Sequence, residues 1–326
     1  MKKVLIAILL LGLLPHASAD YIHWVDFRLS APVLRSALEL DMASQGGEQP
    51  LDWIDILALA AAWRGGTGVT VADTQRAAQV LRGDTPPERL PGMAGRYFSY
   101  YREAYGAALG GLAGHFAIRR TDPQTGEAEW IPAYGLKAFS PIAAGYFWSH
   151  YPDFGAQRSY GYARPHLGND ILGALGTPIC AVEGGTVEAL GWNRYGGWRI
   201  GIRSDDRKRY YYYAHLRKDA PYAEGLAVGQ RVQAGDVIGF MGRTGYSAQE
   251  NVNNIETVHL HFGLQLIFDE SQKECDSEIW IDVYPIIELL ASHCSSVARD
   301  PQTGRWERLY PYCDLDAEPL RSAAAR

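Results

Sequence analysis

Val258-His-Leu-His-Phe-Gly-Leu-Gln265 sets Val258, Leu260 and Phe262 against His259, His261 and Gly263, an alternation with the period of a β-strand. Side chains two apart on a strand share a face, so His259 and His261 point the same way, their Cα atoms roughly 6 to 7 Å apart. Two further motifs precede this strand. Arg164-Pro-His-Leu-Gly-Asn-Asp170 places His166 four residues before Asp170, and Tyr213-Ala-His-Leu216 carries His215. A spacing of four suits a helix, but Pro165, Gly168 and Asn169 argue for a loop or turn. A straight strand fails as well, because it separates the two residues by roughly 13 Å. A turn at Gly168 is the simplest way to bring both side chains onto one ion.

Two imidazoles and one carboxylate suit zinc, which accepts nitrogen and oxygen ligands in a tetrahedron and keeps one corner open in catalytic sites. There it lowers the pKa of water to about 7 and polarises a carbonyl, the two demands of amide hydrolysis. Spacing alone leaves open which of His259 and His261 is the ligand. The histidines outside the coordination shell are then available to take and return protons. A lone His-x-His on an apolar strand is more often packing than chemistry; three ordered motifs are a different matter.

His-x-Gly-x-Asp, then Tyr-Ala-His-Leu, then His-Leu-His-Phe-Gly, in that order, resembles the lysostaphin-type or LytM-type zinc metallopeptidases, the twenty-third metallopeptidase family, which cut peptide bonds in bacterial cell walls. The resemblance implies that His166, Asp170 and His261 hold Zn2+, with His259 the catalytic histidine beside the metal and His215 a second, non-ligand histidine across the cleft. It implies a zinc-dependent endopeptidase that uses zinc-activated water on the stem peptide or cross-bridge of peptidoglycan. A non-catalytic LytM-type module that binds wall or activates an amidase is the alternative, but such modules typically lose ligands and this chain keeps all three. Tyr160 or Tyr162 is placed to contribute to the pocket, as a tyrosine does in some relatives. In the family a segment before the first ligand can cross the cleft, and here that segment is Leu136 to Gln157. One departure is a longer loop, Tyr246 to Thr257, before the last ligand strand; a long loop beside a cleft usually sets specificity.

The expected fold class is α+β: a mainly antiparallel β-sheet peptidase domain over 121–292, with its core at 160–268, behind an α-helical N-terminal region over 20–120. Gly176 to Trp192 reads as a hairpin turning at Gly184-Gly185, and Trp198 to Arg203 pairs with Arg209 to Tyr213. In the N-terminal region, Ser30 is a helix cap for a segment reaching Ala43, Leu51 to Trp63 forms a helix ended by Gly65-Gly66, and Val71 to Leu81 and Pro87 to Ala117 continue the pattern. Trp24, Trp53, Trp63, Tyr97, Tyr100, Tyr101 and Tyr105 read as helix core more readily than as a sugar-binding face. Asp122-Pro-Gln-Thr-Gly126 is a hairpin turn between the helical part and the peptidase sheet, and the same string recurs at 300–304 as turn chemistry used twice. Val283 to Ala291 reads as a closing helix, and 293–326 as a poorly ordered tail.

Residues 1–19 have the pattern of a secretory signal peptide: Lys2 and Lys3, the apolar run Val4 to Leu14, and Ala17-Ser18-Ala19 before Asp20. That run is too short for a stable bilayer span, and no later stretch is long enough, so the expectation is an exported protein without a transmembrane segment, in the periplasm, cell envelope or medium. Removing the leader takes two lysines and no acids, moving the formal charge from −6 to −8. That balance excludes general attraction to nucleic acid or an anionic membrane. Export raises the redox question for four cysteines. Cys180 reads as a buried thiol; of Cys275, Cys294 and Cys313, the pairing Cys294 with Cys313 is favoured.

Overall fold

The computed structural model describes residues 21–122, 124–160, 162–273 and 277–317, and the side chains of Tyr160 and Tyr162 are not among what it describes. The leader, Cys275 and the pocket role suggested for Tyr160 or Tyr162 therefore fall outside the described residues. No described helix is long and apolar enough to cross a membrane.

Four helices come first: α1 (Ala31–Ser44), α2 (Trp53–Arg64), α3 (Val71–Leu81) and α4 (Met93–Leu109). Local chemistry fixes their ends. The Asp52 side chain accepts from Ile54 N at the start of α2, and Gly65 at φ 63° stops it in the left-handed region. Thr70 and Asp73 form a reciprocal capping box on α3. Ser30 caps α1 only by position, since its side chain makes no cap bond. Helix α2 is apolar nearly all round, which is why it is buried on nearly every side. Trp53 and Tyr105 lie in this core, as expected, whereas Trp24 is exposed.

The helical pattern expected to reach Ala117 ends at Leu109. After Gly110-Gly111 the chain becomes β1 (Ala113–Thr121), which pairs along its whole length with β2 (Ala128–Leu136). Close approach explains the break, because a Cβ on Gly111 would overlap the Glu183 carboxylate. The hairpin at Asp122 is present, but it builds a separate three-stranded sheet rather than entering the peptidase sheet. Asp122 and Asp300 each accept at Oδ1 from the backbone two and three residues on, and Gly126 and Gly304 have φ of 73° and 75°, so the repeated string makes the same turn twice.

The remaining strands are β3 (Trp148–His150), β4 (Gln157–Tyr160), β5 (Tyr162–Pro165), β6 (Asn169–Gly173), β7 (Pro178–Cys180), β8 (Gly185–Asn193), β9 (Gly197–Ser204), β10 (Arg209–Ala214), β11 (Arg231–Val232), β12 (Val237–Phe240), β13 (His259–Leu266), β14 (Ile279–Trp280), β15 (Val297–Arg299), β16 (Trp306–Arg308) and β17 (Tyr312–Asp314). An eight-stranded antiparallel sheet runs β11-β8-β9-β10-β13-β6-β3, with β14 paired to β13. With the helices beside it, this is the α+β architecture expected. The β9–β10 pair forms as read. The hairpin expected at Gly184-Gly185 does not: β7 pairs with β12 in a small sheet of its own, while β8 pairs with β9 and β11. Helix α5 (Tyr284–Leu290) closes the domain where a helix was read.

Residues 297–317 are not a loose tail. The β15–β16 hairpin and β17 are built, and β17 completes the sheet of β1 and β2. Lys137 Nζ holds Asp314 at 3.0 Å and Asp316 at 3.2 Å, which fastens this end to the strand leaving β2. The favoured disulfide is absent: Cys294 and Cys313 are free, as is Cys180. Cys313 is committed to the β17 ladder opposite Ala117, and Cys294 Sγ donates to Ala291 O at 3.4 Å. Cys180 is fully buried, and that burial pushes its thiol up to about 12.

One apolar core runs without a break from the helices into the sheet. At the junction Arg209, 1% exposed, donates to Glu183 at 2.7 Å and to the Ala107 carbonyl in the last turn of α4, also at 2.7 Å. Tyr211 donates to the same glutamate at 2.6 Å.

Candidate metal centre

Register supplies what spacing could not. Strand β13 pairs with β6 so that His261 lies directly opposite Asp170, and cross-strand partners share a face. His166 arrives from the loop between β5 and β6, where the chain bends at Gly168 as expected. A Cβ at Gly168 would stand 2.7 Å from both His261 Cε1 and the Phe262 carbonyl, so glycine permits the approach. The result is a triangle: His166 Nε2 to Asp170 Oδ1 is 3.0 Å, His166 Nε2 to His261 Nδ1 is 2.9 Å, and His261 Nδ1 to Asp170 Oδ1 is 3.1 Å.

Three donor atoms so close fit a small cation. A zinc tetrahedron with bonds of about 2.0 to 2.1 Å has edges of about 3.3 Å, only slightly longer than these separations. The tautomer agrees. His166 Nδ1 lies 3.1 Å from the Asp153 carbonyl and 3.1 Å from its carboxylate, so that nitrogen carries the hydrogen and Nε2 turns a lone pair toward the triangle. His166, Asp170 and His261 are thus a set able to hold a metal.

The other two expected histidines stand beside it. His259 Nε2 is 3.7 Å from Asp170 Oδ1, and the His215 ring is 4.7 Å from that of His259 and 5.8 Å from that of His261. His215 Nδ1 lies 2.9 Å from the Thr244 carbonyl and His259 Nδ1 2.9 Å from the Thr257 carbonyl. Each therefore keeps its hydrogen on Nδ1 when neutral and leaves Nε2 as a base. Burial, with His259 and His261 close by, depresses His215 well below the usual histidine value. Burial opposes ionisation of Asp170, but hydrogen bonds from His166 and His261 outweigh it and hold the carboxyl far below the ordinary range.

Sequence reasoning missed the support behind this triangle. Asp153, 5% exposed, accepts from Asn169 Nδ2 at 3.0 Å and from Arg158 at 2.8 Å, and Arg158 also reaches Asp170 Oδ2 at 3.2 Å. Asn169 Oδ1 is 2.6 Å from His150 Nδ1, whose Nε2 is 2.7 Å from Glu288. A hydrogen-bonded chain thus runs from helix α5 to His166. An amide at the fully buried first position of β6 was the available signal, since buried amides need partners. The cleft itself is lined by the five named residues together with Arg158, Arg164, Pro165, Leu167, Tyr195, Gly196, Tyr212 and Tyr246. Nothing from Leu136 to Gln157 lines it; His150 and Asp153 of that segment bond instead to Asn169 and His166.

The sequence profile described as Peptidase family M23 matches residues 164–274, which contain the whole triangle and both neighbouring histidines. The chain carries a Peptidase family M23 domain. Similarity to individual proteins is concentrated in the same region. An L-Ala–D-Glu endopeptidase of Bacillus subtilis is 41% identical over 124 residues, 38% of this chain and 36% of that protein. The glycyl-glycine endopeptidase ALE-1 of Staphylococcus capitis is 38% identical over 98 residues, 30% of this chain and 24% of that protein. The match thus spans about a third or less of each relative's length. The catalytic domain of lysostaphin from Staphylococcus simulans, a solved structure, is 28% identical with a TM-score of 0.33, covering 44% of this chain and 92% of that one. The helices before the M23 domain take no role from these relatives.

Proposed function

We propose that this protein is an exported zinc endopeptidase that hydrolyses peptide bonds in bacterial peptidoglycan. The observation that carries this reading is the convergence of His166 Nε2, Asp170 Oδ1 and His261 Nδ1 within 3.1 Å, with the Nε2 atoms of two further histidines free to act as bases beside them. Relatives of the M23 domain named as cell-wall endopeptidases support it.

In this reading His166, Asp170 and His261 hold zinc, which when bound supplies Lewis acidity for activating water and polarising the scissile carbonyl. His259 takes the proton of the attacking water at Nε2, while its Nδ1–H stays on the Thr257 carbonyl and fixes the ring. His215, kept neutral by burial, accepts a hydrogen bond from that water at Nε2 and so orients it. The protonated His259 then returns the proton to the leaving amine.

The test is mass spectrometry of cross-linked peptidoglycan incubated with the purified protein or with His259→Ala, alongside metal analysis of both. New amino and carboxyl termini are expected only with the unmutated protein. Losing a general base lowers turnover by about 10²- to 10⁴-fold, with zinc retained at one per chain. Equal release by the two proteins would remove His259 from the chemistry.

A further inference from the structure

Asp170 turns its two carboxylate oxygens in different directions. Oδ1 faces the triangle: it lies 3.0 Å from His166 Nε2, 3.1 Å from His261 Nδ1 and 3.7 Å from His259 Nε2. Oδ2 instead accepts from Arg158 Nη2 at 3.2 Å, and the same guanidinium nitrogen donates to Asp153 Oδ2 at 2.8 Å. That Asp153 oxygen is also the one 3.1 Å from His166 Nδ1. A single nitrogen of Arg158 thus ties two of the three residues proposed to hold the metal, Asp170 directly and His166 through Asp153. The tie is largely enclosed, with the Asp153 side chain 4% exposed, Asp170 16% and Arg158 30%.

The arginine comes from outside the histidine motifs. It sits on β4, which pairs with β5 so that Arg158 lies opposite Arg164, and it precedes the first residue matched by the M23 profile. A counter-charge for two carboxylates would serve from any side of them, but this one engages the Asp170 oxygen that faces away from the triangle. A carboxylate can bind a divalent ion through one oxygen or through both. Binding through both would take up a position that a catalytic zinc site keeps for water. A charge-assisted hydrogen bond to Oδ2 opposes the rotation of the carboxylate that would bring this oxygen to the ion, and a guanidinium keeps its protons at any accessible pH.

We infer that Arg158 is a positioning residue that confines Asp170 to binding the metal through one oxygen and so keeps a coordination position open. This rests on the zinc-endopeptidase reading. Without Arg158, Oδ2 is released next to a cation and joins Oδ1 on it. The ion is then held by one more protein atom, and water and the scissile carbonyl lose their place. Turnover falls while the metal stays bound, which is the reverse of what removing one of the three donors would do.

Cobalt(II) tests this, because its visible d–d bands are strong at four-coordinate sites and weaken as the coordination number rises. The metal-free full chain, Arg158→Met and Arg158→Lys are each titrated with Co2+ to saturation, circular dichroism checks their folds, and their zinc-loaded forms are assayed on cross-linked peptidoglycan. All three proteins should bind one cobalt per chain. The bands should lose intensity in Arg158→Met and regain it in Arg158→Lys, which keeps a cationic donor. Turnover of the zinc form should fall about 10- to 100-fold in Arg158→Met, the range for losing a partner of a metal-binding residue, and recover in part in Arg158→Lys. An unchanged cobalt spectrum in Arg158→Met overturns the inference: with turnover lowered, Arg158 acts on the substrate, and with turnover intact it is a counter-charge alone. Loss of cobalt binding by a folded Arg158→Met also overturns it, since the arginine would then hold the site together rather than set its coordination. If the unmutated protein takes up neither cobalt nor zinc, the metal reading itself fails and the inference fails with it.

Discussion

His166 illustrates how much a candidate ligand depends on residues that no motif contains. Its Nε2 points at Asp170 and His261 because Nδ1 is held by Asp153, and Asp153 is held by Asn169 and Arg158. Partners of this kind fix the tautomer and ring of a metal-binding histidine, and their loss typically lowers metal affinity by about 10- to 100-fold. With zinc in the site as proposed, Asn169→Leu, which removes the tie between Asp153 and His150, should weaken metal binding by that order, read by competition with a chelator of known affinity. Unchanged affinity at intact fold would show the chain to be packing alone. The sequence exposes the histidines and Asp170 because strand alternation and a glycine turn are local. Asp153 lies 13 residues from His166 in a segment with no periodic signal, and only the fold brings the two together.

At the scale of an element, helix α3 is the clearest case of local chemistry setting both shape and pH response. Burial disfavours the Asp73 carboxylate, but Arg64 and Thr70 hydrogen-bond to it and outweigh that, leaving its pKa below the ordinary aspartate value. A carboxyl with a lower pKa in the folded than in the unfolded state adds stability that is fully present above the unfolded value of about 3.9. That stability is lost as pH falls through the folded value. Asp73→Asn should cost about 0.5 to 2 kcal/mol at neutral pH, the worth of a cap, and should narrow the gap from the unmutated protein as unfolding is measured at pH 4 and below. A constant gap down to pH 2 would mean that the charge contributes nothing. The same locality explains which elements were legible. Gly65 and the β9–β10 turn announce themselves within a few residues. Strand β7 does not, because its partner β12 lies more than fifty residues away, with Cys180 opposite Val237. Nor does β17, whose place depends on the β1–β2 hairpin some two hundred residues earlier.

The helices and the M23 domain meet through a charge that neither side could bury alone. Arg209 is fully enclosed. Burial lowers its pKa, but Glu183, Tyr211 and Asp206 more than compensate, so it stays charged at any accessible pH. Its NH1 group donates to the Gly106 and Ala107 carbonyls at the end of α4, where the helix dipole favours a cation. Removing one partner of a buried ion pair typically costs about 3 to 5 kcal/mol, because the other charge is left without compensation. Glu183→Ala should therefore lower stability by that amount, and because the apolar core is continuous across the junction, the loss should be shared by both halves. Denaturant unfolding followed by far-ultraviolet circular dichroism, which weights the helices, and by tryptophan fluorescence, which includes Trp192 and Trp198 of the M23 domain, distinguishes the cases. Coincident transitions in the unmutated protein, both displaced to lower denaturant in Glu183→Ala, are the expected outcome. Helices that outlast the fluorescence change would show two independently folding bodies, with Arg209 a local tie between them.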